Sequence, residues 1–184
     1  MISSSRDKKI LVVDLECSCW MGRPPMGMRQ EVIEIGLCVV NVAGKSIIHR
    51  QNIIVRPANS DISGFCTEIT GLTNEVATRA DAVPFKLAPK TARDMSEQHQ
   101  ASIMASWGPN DRGYMKSDCE FHGMDYPFPD EGMNVQKAFR KAMKMKHDMS
   151  VNKAIELLGL QFEGKQHRAG DDAYNTAVIL SHII

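Results

Sequence analysis

The chain has 184 residues, 43% hydrophobic and 24% charged, with 22 Lys and Arg against 22 Asp and Glu, so its formal net charge is zero. That length accommodates one domain with a substantial core and is short for two, so a single domain over residues 1–184 is expected. Zero net charge argues against a whole-surface electrostatic grip on nucleic acid and leaves that task to a local patch. No apolar run is long enough to span a bilayer, and the polar start MISSSRDKK lacks an apolar signal core, so no membrane partner is expected. The five cysteines, at 17, 19, 38, 66 and 119, show neither a C-x-x-C pair nor zinc-like spacing. Several lie in apolar runs, where a cysteine acts as a small hydrophobe, and the expected location is a reducing cytosol.

Residues 9–16, KILVVDLE, form a short apolar run rich in β-branched residues, which predicts a buried strand. EVIEIGLCVVN (31–41) reads as a second strand, and KSIIHRQNIIVRP (45–57) as a third that Pro57 stops. The short turn Val42-Ala43-Gly44 permits a hairpin, so the first three strands are expected to be antiparallel. Residues 60–77 are rich in Ser, Thr and Gly and suggest turns and short helical pieces. Residues 81–98 have helical composition interrupted by Pro84 and Pro89. SIMASWG (102–108) is a fourth strand candidate, with a helix after Asp111. Residues 121–134 read as an aromatic, proline-rich loop. Helical spacing returns in 135–146 and in 150–159, where Gly159 is the stop. The last helix is predicted to start near Asp171, with Asp171 as its N-cap, and to pack its apolar end AVILSHII on the core. This order implies a mixed sheet flanked by helices, an α/β layered fold.

Four stretches can carry chemistry. In VVDLEC, Asp14 and Glu16 are two apart on a strand and therefore share a face. Either the strand has ended and both meet water, or a divalent cation pairs them, since like charges are costly to bury together. Hard cations such as Mg²⁺ take such oxygen ligands together with substrate phosphate. In SWGPNDRGYM, Asp111 is either an ordinary first-turn aspartate of a helix or a further ligand. Asp118, Asp125 and Asp130 are weaker candidates, because no strand feeds them. In EVIEIG, Glu31 and Glu34 are three apart and face opposite sides of a strand, which points to structural or supporting roles. In HRAGDDAYNTA, His167 lies in a loop five residues ahead of Asp172, which falls in the first turn of a helix.

Taken in order, VVDLECSCW, EVIEIG, RPANSDISGFCTEITGLT, SWGPNDR and LGLQFEGKQHRAGDDAYNTA resemble the DEDDh exonucleases of the ribonuclease-H-like superfamily, in particular their ERI-like 3′→5′ exoribonuclease branch. The resemblance covers nearly the whole chain and implies the ribonuclease-H-like layered fold. Carried over, it makes Asp14, Glu16, Asp111 and Asp172 ligands of two divalent cations, Mg²⁺ or Mn²⁺, and His167 the general base. Asp171 is not the family position. The implied reaction is metal-assisted hydrolysis of the 3′-terminal phosphodiester of a single strand, releasing nucleoside 5′-monophosphates. The residues implied to line the terminal-nucleotide pocket are Ile69, Thr70 and Leu72, with Leu15 and Cys17 beside the first carboxylates.

The ERI-like similarity favours RNA over DNA through the 2′-hydroxyl. The alternatives are a DNA-directed, proofreading-type exonuclease and a catalytically weak nucleic-acid-binding module on the same fold. A monomer and a homodimer are equally open. Pro109 stiffens the turn before Asp111 and departs from the family's polar turn. Cys17 and Cys19 form a C-x-C that departs from it too. The polar stretch 86–100 is either a solvated helix or a substrate-contacting arm.

Overall fold

The computed structural model describes residues 8–184. Six strands form one sheet in the order β4-β3-β2-β1-β5-β6. In chain order they are β1 (Lys9–Cys17), β2 (Val32–Asn41), β3 (Ser46–Arg56), β4 (Val83–Pro84), β5 (Ala101–Ser106) and β6 (Glu131–Asn134). The helices are α1 (Gly64–Thr70), α2 (Asn74–Ala77), α3 (Ala88–Gln98), α4 (Asn110–His122), α5 (Val135–Ala142), α6 (Val151–Leu157) and α7 (Ala169–Ile183). β1, β2 and β3 are antiparallel to one another, as expected, whereas β5 runs parallel to β1 and β6 parallel to β5.

The central strands are apolar on both faces because each face meets a helical layer. On one face, Leu11, Val13 and Leu15 pack with Ala88, Ala92 and Met95 of α3 and with Met115 and Cys119 of α4. On the other, Ile10 and Val12 pack with Val135, Phe139, Ala154 and Ile155 and with Ala173, Ala177 and Leu180 of α7. A third cluster, of Ile33, Ile62, Cys66 and Leu72, seats α1 and α2 at one end of the sheet. The period of two then places Asp14 and Glu16 on the α7 face, in line with Ile10 and Val12.

Most predicted elements stand where the sequence places them. The stretch 86–100 is largely α3, whose Ala92 and Met95 are buried while its opposite face is solvated. Pro89 opens that helix rather than breaking it, because its missing N–H is one that the first turn does not use. The apolar chain end packs inward, with Ile179 and Leu180 fully buried. Two expectations need correction. The predicted loop 121–134 ends in a strand, β6, paired in parallel with Ile103–Ser106. The last helix begins at Ala169, two residues before Asp171, and its N-cap is Arg168 rather than Asp171.

Candidate active site

Asp14 and Glu16 emerge from the C-terminal half of β1, where the α7 face of the strand changes from apolar to acidic. α7 brings Asp172 over them. One carboxylate oxygen from each of Asp14, Glu16 and Asp172 lies within 4.8 Å of the others. This is the one such group of potential metal ligands among the described residues. Asp111, in the first turn of α4, approaches from the β5 side, and its Oδ1 accepts the Leu15 N–H at 3.1 Å. It thus stands beside the three-carboxylate group, turned toward the backbone of β1. Asp171 faces away and accepts hydrogen bonds from the Lys165 N–H (2.8 Å) and Arg50 Nη2 (2.6 Å).

The electrostatics follow from this crowding. Burial raises the pKa of Asp14 well above the carboxylate range, and the charges of Asp111, Asp172, Glu16 and Glu34 push it further. Burial lifts Glu16 to about 8, helped by Asp172, Glu34 and Asp111 and opposed by Arg168. Asp111 and Asp172 are each raised to about 6, again mainly by burial. Asp172 is partly relieved by the His167 and Arg168 amides and the charge of His167, and Asp111 by backbone amides and the Ser106 hydroxyl. Carboxylates held this close in a desolvated setting form a hard-oxygen donor set that lacks positive charge, which suits a divalent cation.

His167 is exposed, and its backbone has φ 60, in the left-handed region. The segment that carries it is fixed from below by Glu34, a fully buried residue of β2 that stands opposite Glu16 in the β1–β2 register. Glu34 accepts from Arg168 Nη2 at 2.7 Å, Arg168 Nε at 3.1 Å, Asn52 Nδ2 at 2.8 Å and the Ala169 N–H at 2.9 Å. It therefore neutralises Arg168 and caps the first amide of α7 in one contact. Two residues on, Gly36 stands opposite Asp14. A Cβ there would lie 1.8 Å from the Ala169 carbonyl oxygen, so only glycine lets α7 descend this close to β2.

Sequence reasoning assigned Glu34 a supporting role without a partner and missed Arg168, Gly36 and Asn52. One signal was available: a carboxylate inside an apolar strand must find a partner, and Arg168 lies beside the histidine of the last motif.

The other predicted residues fall as follows. Leu15 is 8% exposed, and Cys17 is half-buried beside Glu16. Ile69 is half-buried on α1. Thr70 and Leu72 are each 1% exposed. The Thr70 hydroxyl donates to the Cys66 carbonyl at 2.9 Å and accepts the Leu72 N–H at 3.0 Å. Asp118 is buried but committed to the Val32 N–H (2.7 Å) and Arg29 Nη1 (2.6 Å), while Asp125 and Asp130 are exposed. A cavity of about 580 Å³ between β3 and α7 is lined by residues such as Ile48 and Val178 and includes none of the clustered carboxylates.

Comparison with known proteins agrees with this arrangement. Residues 11–180 match the RNase T family, described as exonuclease. The chain is 26% identical over 177 residues to the 3′-5′ exoribonuclease 1 of Rattus norvegicus, covering 92% of this chain and 51% of the relative. It is 24% identical over 196 residues to the 3′-5′ exonuclease Snipper of Drosophila melanogaster, covering 95% of this chain and 69% of that one. Among solved structures, the nuclease domain of 3′hExo, a DEDDh family member bound to rAMP, superposes with a TM-score of 0.86 at 26% identity, covering 97% of this chain and 92% of that domain. The chain spans about half the length of the exoribonuclease 1 relatives it matches. The fold, the acidic cluster and these likenesses together place the chain in the RNase T exonuclease family, within its DEDDh, ERI-like branch, whose members use divalent metal ions.

Proposed function

We propose that this protein is a 3′→5′ exonuclease that shortens single-stranded RNA from its 3′ end and releases nucleoside 5′-monophosphates. The observation that carries the reading is the convergence of Asp14, Glu16 and Asp172 within 4.8 Å, with Asp111 beside them and His167 in the loop that leads to Asp172. The nearest arginine of that loop is engaged by Glu34, so the cluster has no full counter-charge of its own. Asp14, Glu16 and Asp172 would hold two divalent ions, Mg²⁺ or Mn²⁺, with Asp111 joining directly or through water. Bound there, such ions neutralise the carboxylates and lower the pKa of a coordinated water.

The remaining steps belong to the chain's own side chains. His167 takes the proton of the attacking water as that oxygen bonds to phosphorus. The bond from phosphorus to the 3′-oxygen of the preceding nucleotide breaks, and that oxygen takes a proton from solvent water to leave as a hydroxyl. An exposed imidazole can then pass its proton to solvent. Cys17 and Ile69 offer apolar surface for the departing nucleotide, with the buried Leu15, Thr70 and Leu72 packed behind them. RNA is favoured because the relatives are exoribonucleases and the matched nuclease domain is bound to rAMP. Five free thiols support a reducing, cytosolic location.

The test is digestion of 5′-labelled single-stranded RNA and of its DNA counterpart with Mg²⁺, Mn²⁺ or EDTA. A ladder receding from the 3′ end of RNA, faster than on DNA and abolished by EDTA and by Asp14→Asn, is the expected result. Faster digestion of DNA would transfer the reading to a DNA-directed exonuclease. Metal binding without digestion of either would leave a binding module.

A further inference from the structure

A second recess, lined by Met104, Pro109 and Met133 as well as by polar side chains, lies one strand away from the carboxylates. It is a cavity of about 270 Å³ at the C-terminal ends of β5 and β6, lined in part by Ser106, Gly108, Arg112, Asn134 and Lys137. None of its lining residues is acidic. It adjoins the proposed active site through α4, where Arg112 follows Asp111.

Its cations differ from the arginines elsewhere around the site. Arg29 is neutralised by Asp118, Arg50 by Glu163 and Asp171, and Arg168 by Glu34. Neither Arg112 nor Lys137 has a carboxylate partner among the described residues. The Arg112 guanidinium is oriented by neutral groups, the Pro129 carbonyl at 3.0 Å from Nη2 and the Tyr126 ring 5.4 Å away. α4 opens at the rim without a side-chain cap, which adds partial positive charge. In a chain of zero net charge, this is an uncompensated positive recess beside an acidic cluster.

We propose that the recess is a subsite for the backbone phosphate of the nucleic-acid strand on the 5′ side of the scissile bond. This rests on the exonuclease reading. α1 and the turn after it cover the β2 side of the cluster, where the terminal nucleotide would sit. Arg112 and Lys137 stand on the β5–β6 side. The recess and the carboxylates lie on opposite faces of the sheet but meet at its C-terminal end, where Asp111 and Arg112 open α4, so a strand leaving the cluster over that end brings an upstream phosphate to the recess. The site would read charge rather than base, as phosphate contacts do.

Lys137 is exposed, and its side chain makes no ion pair among the described residues, so Lys137→Glu perturbs the fold little. The test compares wild type and Lys137→Glu on a ribodinucleotide, whose one phosphate is scissile, and on a ten-nucleotide RNA. The variant is expected to raise KM on the decamer on the order of 10-fold, leaving kcat and the dinucleotide KM unchanged. Lys137→Ala should also lower the salt slope of decamer kcat/KM by about 0.7. An equal effect on both substrates, or none on either, overturns the subsite. In a parallel arm, fluorescence anisotropy follows labelled decamer binding in EDTA, with about 10-fold weaker binding expected for Lys137→Glu. Equal binding overturns the subsite in that arm. If wild type cleaves neither substrate, the exonuclease reading fails and the binding arm still decides the recess.

Discussion

His167 and Asp172 belong to one short segment but take their places in different ways. Asp172 is fixed by its helix, while His167 is exposed and, among the described residues, held through the backbone of its loop. A base placed in this manner contributes to proton transfer and little to metal binding. His167→Ala should therefore lower kcat by about 10²–10⁴ while leaving Mn²⁺ affinity near wild type. Single-turnover digestion and a calorimetric Mn²⁺ titration check the two halves. An equal loss of metal affinity would make the histidine a ligand instead. Asp111 is the residue whose role depends most on the state of the site, because the Leu15 amide holds its oxygen beside the other three carboxylates.

At the scale of the element, α7 docks by a tertiary cap. Arg168, at the N-cap position, makes no side-chain capping bond, and the first helical amide goes instead to Glu34, 135 residues away in sequence. Removing Glu34 leaves Arg168 partly buried without its partner and the Ala169 amide bare. Glu34→Ala should cost about 3–5 kcal/mol, by the usual penalty for breaking a buried pair, and chemical denaturation measures it. Part of that loss should vanish in an Arg168→Ala background, where no charge is left unpaired. Gly36→Ala acts through shape alone. The Ala169 carbonyl cannot yield without moving α7, so a loss of about 1–3 kcal/mol is expected together with weakened metal binding. Unchanged metal affinity in a destabilised Gly36→Ala protein would show that the cluster tolerates a displaced helix.

At the scale of the whole molecule, the acidic cluster couples folding to pH and metal. Without metal, Glu16 titrates at about 8 and Asp111 and Asp172 at about 6, above their ordinary values of 4.5 and 3.8. The folded chain then holds protons that the unfolded chain has released. The stability linked to these groups is complete below about pH 4 and is lost as pH rises through 6 to 8. Divalent ions replace those protons, so their stabilising effect grows over the same range. Thermal melts at pH 5, 6.5 and 8 should show a metal-free Tm that falls with pH, a Mn²⁺ increment that rises, and flatter curves for both in Glu16→Gln. A metal-free Tm that climbs from pH 5 to 8, with no difference in Glu16→Gln, would exclude the coupling.

The sequence by itself determined the four strands β1, β2, β3 and β5, their antiparallel start, the carboxylate pair on one face of β1 and the motif spacing that assigns the family. Those features are local: a period of two aligns Asp14 with Glu16, and apolar runs bounded by turn residues mark elements without knowledge of what they touch. Only the tertiary structure decided three others. β6, reading Glu-Gly-Met-Asn, has no β-branched residue and no alternation, and it is a strand because β5 offers a free edge to pair with. α7 starts before Asp171 because a buried glutamate from another strand satisfies its first amide, a cap that local sequence cannot display. The charge balance of the site was decided the same way. Glu34 takes Arg168, which leaves Asp14, Glu16 and Asp172 uncompensated, and which charges pair across more than a hundred residues depends on packing distance rather than on sequence order.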